Sequence, residues 1–472
     1  MRTSLAAAAA ALLACTALFA PALAADRQLL VKAKPLPPPA SWTQFYIGGG
    51  IGLNLQTGNT SVPLPPPSST LVTVSGLEGA SLGLTATAGF DYQFSPLVVV
   101  GAFVDYDWSS QNTTFSLSDD SGDFASATAA RLDSGWTVGG RAGILATPDI
   151  LVYGLGGFTE THLDNWSVTS TSGFATAVAL QEPSQTRAGY TVGGGIEYRL
   201  TNNVSLRGEY RHVSLGNATT VDTTNGLVST TGTSIHIARV EAAYRFGGFG
   251  VSAPTAPVKM RSAVWTDIYG GLGLGGDAIT THVSADAFSA PLTLIEDGLG
   301  GGDIAGTATL GFDYQVQNWI AGVFGLFDFG GNGNAHFTVN GFVGGGSVSS
   351  EAASIDESWT AGGRLGYLIV PDALVYGLAG YTTANFHSVT YSIAGEGDAL
   401  AGTASTSVFH GVTVGGGFEK LITDSLSARF EYRNTRYDAQ TGFGAPGFTN
   451  TEAQPTVNSL RVLVAYRLST MK

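Results

Sequence analysis

The stretch IARVEAAYRFGG, residues Ile237–Gly248, decides the fold of this chain. Its side chains alternate along the segment, so that Arg239 and Glu241 share one side, and the run stops on the aromatic Phe246. A period of two residues indicates a β-strand with two different faces. More than two hundred residues follow Phe246. A strand with the features of a closing strand therefore lies in the middle of the chain, and its position requires an explanation.

The explanation is an internal repeat. Six blocks recur in the same order at a nearly constant offset, including WTVGGRAGILATPDILVYGLGGFT from Trp136, which returns as WTAGGRLGYLIVPDALVYGLAGYT from Trp359. The segment ARVEAAYRF from Ala238 likewise returns as LRVLVAYRL from Leu460. Self-similarity at a fixed offset is the sequence signature of a repeated architecture. The chain is a tandem duplication, and Phe246 ends the first copy.

Each copy reads as a series of strands. Residues 97–108 alternate Val100 and Val104 on one face with Asp105 and Asp107 on the other. The same period predicts about eight strands in the first copy, near 43–56, 81–93, 97–108, 135–146, 150–160, 188–200, 204–214 and 233–246. Most of them have the roughly nine to eleven residues that a tilted strand needs to cross a bilayer.

The connections between these strands alternate in length. FSP, TPD and TNN are tight turns, whereas residues 57–79 and 109–134 are long polar loops. Short turns at one end and long loops at the other are typical of outer-membrane barrels, whose long loops lie outside the cell. We therefore predict an all-β, transmembrane, antiparallel up-and-down β-barrel in the cell outer membrane, built as two tandem eight-stranded units. One sixteen-stranded barrel is the alternative.

A secreted β-sandwich or β-helix would also alternate and turn often. Two features favour the barrel. Aromatic residues such as Trp108, Trp136 and Phe246 lie near the ends of the apolar faces, as in the girdles of membrane barrels. The opposite faces carry charges deep within the strands, which the core of a sandwich would not tolerate.

The amino terminus and the composition indicate export. Residues 1–24 have the charged start, apolar run and small-residue end of a signal peptide, although Cys15 also loosely fits a lipoprotein signal. A proline-rich periplasmic leader (25–41), a first barrel repeat (42–247), a linker (248–264) and a second repeat (265–469) follow. Cys15 is the single cysteine, so disulfides and cysteine-based zinc sites are excluded from the mature chain. A net charge of −14 argues against nucleic acid as a partner.

The predicted inward faces collect charged residues of both signs. They are Arg141, Glu197, Arg199, Arg207, Glu209, Arg211, Arg239 and Glu241 in the first copy, and Arg364, Glu419, Arg429, Glu431, Arg433 and Arg461 in the second, where Leu421 and Leu463 replace Arg199 and Glu241. Eight strands enclose a bore that side chains just fill. We expect these charges to pair and plug the bore, with glycines leaving space for the arginines. An ion-selective constriction or a proton relay is the functional alternative.

Other candidate sites are weaker. His212 and Ser214 share the outward face of one strand and could attack a lipid ester, as in lipid A deacylases, but the second copy has YRNTRYD there. The histidines show no spacing of metal or haem ligands, and the glycine-rich strings lack the context of a dinucleotide site. Asp119, Asp120 and Asp123 could hold Ca²⁺ weakly, although a solvated loop is the default. No cofactor, metal site or catalytic residue is predicted.

The segments VKAKPLPPPASW, WTQFYIGGGIG, TVGGGIEYRLTNNVSLRGEYRH and ARVEAAYRF resemble the outer-membrane immunogenic proteins, a family of small porin-like barrels of Gram-negative bacteria. The resemblance implies an eight-stranded barrel, surface exposure and antigenicity, with roles proposed in transport, envelope stability and ligand binding. The doubling departs from the family, and so does Leu468 where a closing aromatic is expected.

From this resemblance we expect a non-enzymatic structural protein and surface antigen that also passes small solutes, and a lipid A hydrolase is the alternative. Outer-membrane lipid, lipopolysaccharide and the barrel assembly machinery are the expected partners. The oligomeric state stays open.

Overall fold

The computed structural model describes most of the chain from Ser41 onward. The described residues are 41–63, 71–109, 114–119, 124–128, 132–170, 178–182, 184–221, 228–246, 265–287, 292–330, 336–342, 346–351, 355–386, 390–394, 399–403, 407–441 and 448–468. The predicted signal peptide and linker, nearly all of the leader, and Asp120 and Asp123 lie outside these residues.

Within the described residues every regular element is a β-strand. The strands up to residue 245 are β1 Gln44–Pro63, β2 Leu71–Gln93, β3 Val98–Ser109, β4 Thr114–Asp119, β5 Phe124–Thr128, β6 Leu132–Thr147, β7 Ile150–Leu163, β8 Trp166–Ser170, β9 Val178–Glu182, β10 Gln185–Arg199, β11 Val204–Val221 and β12 Val228–Arg245. This described part contains no helix that is long and apolar enough to span a membrane.

The second copy repeats this series. Its strands are β13 Asp267–Ala287, β14 Leu292–Val316, β15 Trp319–Phe329, β16 His336–Phe342, β17 Gly346–Glu351, β18 Ile355–Val370, β19 Ala373–Phe386, β20 Thr390–Ala394, β21 Ala399–Thr403, β22 Ser407–Leu421, β23 Leu426–Tyr437, β24 Gln440–Thr441 and β25 Phe448–Arg467.

Each copy closes into its own antiparallel barrel. The first barrel runs β1, β2, β3, β6, β7, β10, β11 and β12, and β12 pairs back with β1. The second runs β13, β14, β15, β18, β19, β22, β23 and β25, and β25 pairs back with β13. Two eight-stranded barrels, rather than one of sixteen strands, confirm the preferred prediction.

Residues 237–245 belong to β12, the closing strand of the first barrel. The residue after β12, Phe246, donates its backbone N–H to the carbonyl of Phe45 at 2.8 Å. Leu468 makes the same bond to Ile268 at 3.0 Å in the second barrel. Because this bond involves only the backbone, the leucine closes the second barrel as the aromatic closes the first.

The alternation of each strand sorts its side chains between two environments. On β3, Val104 is 48% exposed on the outside, whereas Asp105 is 1% exposed inside the barrel. Trp108 and Phe246 are exposed outward near opposite ends of the first barrel. We call the end with the short connections the turn end, and the end with the long connections the loop end.

The long loops are more regular than the sequence analysis predicted. The first long loop was expected to be irregular up to residue 79, but β2 already begins at Leu71, and the second long loop contains β4 and β5. These segments are rich in Ser, Thr and Val, and Thr and Val fit a pleated strand once a neighbouring edge is available. Polarity alone therefore predicted loops at positions where strands extend beyond the barrels.

Candidate functional site in the barrel interiors

The turn end of the first barrel contains a four-membered cluster of buried charges. Arg141 contacts Asp91 at 2.5 Å and Glu197 at 2.8 Å, and Arg245 contacts the same two carboxylates at 2.9 and 2.6 Å. Ser205 donates a further hydrogen bond to Glu197 at 2.5 Å. Each buried carboxylate is thus bound by two guanidinium groups, which offsets the desolvation of both partners.

A second cluster lies nearer the loop end. Arg239 is its centre and contacts Asp105 at 2.8 Å, Glu209 at 2.8 Å and Glu241 at 2.6 Å. Arg207 contacts the other oxygen of Glu241 at 2.7 Å. Arg211 contacts Asp105 at 2.6 Å and also contacts Glu209. Arg239 additionally contacts Asp107 at 3.1 Å. The hydroxyl of Tyr153 donates a hydrogen bond to Glu209 at 2.7 Å.

Aromatic rings fill the space around these charges. The guanidinium carbons of Arg199 and Arg245 lie 4.2 and 4.6 Å from the ring centre of Trp42. Trp42 itself is fully buried, and its indole N–H donates to the carbonyl of Pro148 at 3.0 Å. A cation over an aromatic face is stabilised by the ring quadrupole. Trp42 therefore helps to seal the turn end.

Glycines on the inward face make room for the charged side chains, as the sequence analysis expected. A Cβ at Gly193 would lie 3.1 Å from Cγ of Arg211. A Cβ at Gly101 would overlap the carboxylate of Asp91. The glycine-rich strands therefore match the long side chains that cross the bore.

The second barrel repeats the turn-end cluster. Arg364 contacts Asp313 and, at 3.0 Å, Glu419, and Arg467 contacts the same pair at 2.9 and 3.1 Å. Ser427 donates to Glu419 at 2.7 Å. These residues stand where the first barrel has Arg141, Asp91, Glu197, Arg245 and Ser205.

The loop-end cluster has diverged between the barrels. Leu463 stands where the first barrel has Glu241, and Arg429 turns to Glu419 at 2.8 Å. Arg461 contacts Asp277 at 2.8 Å, and Arg433 contacts Asp328 at 2.9 Å. The remaining members of the second cluster are Glu431, which lies 3.4 Å from Arg433, and Tyr376, which donates to Glu431 at 2.6 Å.

All fourteen interior residues named in the sequence analysis lie on inward faces and are buried. Thirteen of them belong to the ion-paired clusters described above, and Arg199 lies against Trp42. Leu421, its counterpart in the second barrel, packs in the apolar cluster around Trp265. The interior residues chosen from the sequence did not include the other members of these clusters, which are Asp91, Asp105, Asp107, Arg245, Asp277, Asp313, Asp328 and Arg467. Alternation had nevertheless placed Asp105 and Asp107 on the face opposite Val104. Alternation alone could have found Arg245, because it shares a face with Arg239 and Glu241.

A cavity of about 30 Å³ lies near the loop end of each barrel, lined by Asp107 and Arg211 among others in the first and by Asp328 and Arg433 among others in the second. A site needs roughly 10–15 Å³ of such volume to hold one water molecule. These cavities therefore suit water molecules and no larger solute.

His212 and Ser214 share the outward face of β11, but no hydrogen bond joins them in the described part of the chain. The ring of His212 instead contacts that of His236, with 4.7 Å between ring centres. The buried Nδ1 of His212 has no hydrogen-bond partner within the described part of the chain. Those same residues contain no group of three or more His, Cys, Asp or Glu side chains suited to a metal ion.

Comparison with known proteins agrees with this architecture. The family model described as "Outer membrane protein beta-barrel domain" matches residues 8–246. The 31 kDa outer-membrane immunogenic protein of Brucella melitensis is 30% identical over 235 residues, which are 48% of this chain and 93% of that protein.

Solved structures give weaker matches. The attachment invasion locus protein Ail of Yersinia pestis matches with a TM-score of 0.18 and 12% identity, over 42% of this chain and 99% of Ail. The toluene transporter TbuX of Ralstonia pickettii matches with a TM-score of 0.25 and 9% identity, over 91% of this chain and 92% of TbuX.

Proposed function

Because this chain belongs to the outer membrane protein beta-barrel domain family, we propose that it is a structural, surface-exposed protein of the outer membrane whose two barrels are sealed by their own side chains. In this proposal the outward apolar side chains contact outer-membrane lipid, and lipopolysaccharide surrounds the loop ends. The chain carries out no chemical reaction.

The ion-paired interior carries this proposal. Arg141, Arg245, Asp91 and Glu197 cross the bore of the first barrel with contacts of 2.5–2.9 Å, and an equivalent group crosses the second. A solute crossing either barrel would have to separate these pairs and leave charges buried without partners. Breaking one buried pair costs about 3–5 kcal/mol, and a passage would break several at once.

Liposome swelling tests the absence of passage. Proteoliposomes that contain the purified full chain should take up a small uncharged sugar no faster than empty liposomes, whereas a general porin supplies the positive control. Fast sugar uptake by the wild-type chain would contradict a sealed interior and would support the porin-like passage considered from the sequence.

Surface exposure is tested with epitope insertions at the two ends of a barrel. Gly330 follows β15 at the loop end and has a φ of +84°, and a Cβ added there would have no described atom within 4 Å. A tag after Gly330 should bind antibody on intact cells, and a matched tag after Asn203, in a turn-end connection, should bind only after the outer membrane is permeabilised. The reverse result would mean that the turn end, and not the loop end, faces the outside of the cell.

A further inference from the structure

Several outward side chains are buried although they face away from both barrel interiors. Leu53 is 3% exposed, Ala278 is 1% exposed and Leu460 is 9% exposed, and the three form one apolar cluster. Leu53 belongs to the first barrel, and the other two belong to the second. Leu55, Ala238, Val240 and Tyr432 pack against them. The barrels therefore cover part of each other's outward surface, where lipid would otherwise lie.

Two glycines allow the barrels to approach closely at this surface. A Cβ at Gly208 of β11 would lie 2.6 Å from the ring of Phe430 on β23. A Cβ at Gly302 of β14 would overlap the side chain of Leu55 on β1. A larger residue at either position would have to displace the side chain from the other barrel, and small residues at an interface let two elements pack closely.

The contacts join equivalent positions of the two repeats. Gly208 and Phe430 occupy the same place in the matching segments SLRGEYR and SARFEYR. Tyr198 and Lys420 likewise end the matching segments TVGGGIEY and TVGGGFEK, and the ammonium nitrogen of Lys420 lies 5.9 Å from the ring centre of Tyr198. Positions that meet their own counterparts lie on a two-fold axis, as in an isologous dimer interface. An approximate two-fold axis therefore passes between the barrels.

The strand extensions at the loop end are exchanged across the same axis. Residues Thr73–Ser75 of β2 pair with Asn340–Thr338 of β16 in the second copy. In return, Leu292–Asp297 of β14 pair with Asp119–Thr114 of β4 in the first copy. Leu299 pairs with Gly79 between these two contacts. Each repeat thus gives a strand edge to the other.

We propose that the outward face formed by β11, β12 and β1, and its counterpart on β23, β25 and β13, is a homotypic docking surface whose partner is a second barrel of the same kind. In this chain the partner is the other repeat. The duplication has joined into one polypeptide a pair of barrels that associates through its own surface and does not depend on the linker. The two loop ends then form one continuous extracellular sheet.

The test cuts the linker and leaves the rest of the protein intact. A protease site is inserted between residues 247 and 264, the full chain is folded and purified in mild detergent, and the connection is then cut. The two halves should stay together in gel filtration, at the elution volume of the uncut protein. Separation of two correctly folded halves would overturn the proposal.

Matched variants locate the surface. Gly208→Leu should release at least ten times more of the separated halves than Gly154→Leu, because Gly154 also faces outward but its Cβ would have only a backbone oxygen at 3.8 Å. Equal release by the two variants would contradict the proposed surface.

A cysteine pair tests the same surface if the Gly208→Leu variant does not fold. Gly208→Cys with Phe430→Cys should be joined within one chain by a short bifunctional thiol reagent. Absence of that cross-link in folded protein, or cross-links only between different chains, would also overturn the proposal.

Discussion

The substitution Glu241→Leu tests whether the barrel interior is a dry ion-pair network. Glu241 is 1% exposed and holds Arg207 at 2.7 Å and Arg239 at 2.6 Å. Arg239 would keep Asp105, Asp107 and Glu209. Arg207 would keep no carboxylate at ion-pair distance among the described residues, only a hydrogen bond to Thr87 at 3.4 Å and the ring of Tyr46. Leaving one charge of a buried pair without its partner costs about 3–5 kcal/mol of unfolding free energy.

The double variant Glu241→Leu/Arg207→Leu is the matched control. It removes both charges and replaces them with apolar volume, and replacing a whole buried pair in this way is often neutral. We therefore expect the double variant to be more stable than Glu241→Leu by roughly 2 kcal/mol or more. Leucine suits the site sterically, because the second barrel already has Leu463 there, with Arg429 turned to Glu419 at 2.8 Å.

Unfolding in guanidinium chloride, followed by the shift between folded and unfolded bands on unboiled gels, measures these differences. The corresponding interior of the second barrel is unchanged in both variants and serves as the reference within each sample. If Glu241→Leu and the double variant unfold at the same denaturant concentration as the wild type, water solvates Arg207. The network would then not seal the bore.

Three further predictions follow from individual contacts. Arg141→Ala and Arg364→Ala should each lower the unfolding temperature of their own barrel by a similar amount, because the two arginines bind equivalent Asp and Glu partners. Unboiled gels measure these unfolding temperatures, and a large difference between the two decreases would contradict the equivalence of the turn-end clusters. Gly193→Leu should reduce the amount of folded barrel in the outer membrane, since its side chain would overlap Arg211, whereas Gly154→Leu should not; equal yields would show that the bore has spare room. His212→Ala should leave the lipid A profile of expressing cells unchanged in mass spectrometry, and the loss of a deacylated species would restore the hydrolase hypothesis.

Alternation and the repeat were enough to predict the barrels from the sequence. Period two assigned Val104 outward and Asp105 inward, and the nearly constant offset of the repeat located the closing strand at Phe246. Alternation identifies a face but not what covers it. Alternation places Leu53 outward together with Ile47, and nothing in that pattern indicates that the second barrel buries it. The pairing of β4 with β14 depends on a distant edge, which local sequence does not encode.

The interior was predicted as a set of residues but not as a set of pairs. Arg141 on β6 reaches Glu197 on β10, with β7 lying between these strands, so the pair depends on the register of two ladders. Asp91 and Asp313 were missed because each is a single charge near the end of a long, otherwise uncharged stretch of strand. The divergence at Leu463 was visible in the sequence, but the turn of Arg429 toward Glu419 required the structure.

The central claim is that each repeat closes on itself, and cysteine cross-linking at the closing seams tests it most directly. Ile47 on β1 lies opposite Tyr244 on β12, and both side chains face outward. Opposite residues of an antiparallel pair have Cβ atoms about 4.5–5.5 Å apart, within reach of a disulfide or a short thiol cross-linker. Two closed barrels predict that Ile47→Cys with Tyr244→Cys cross-links within one chain, and that Ile47→Cys with Tyr466→Cys of β25 does not. The opposite result, cross-linking of residue 47 to residue 466 and not to residue 244, would place β1 beside β25 and establish a single sixteen-stranded barrel.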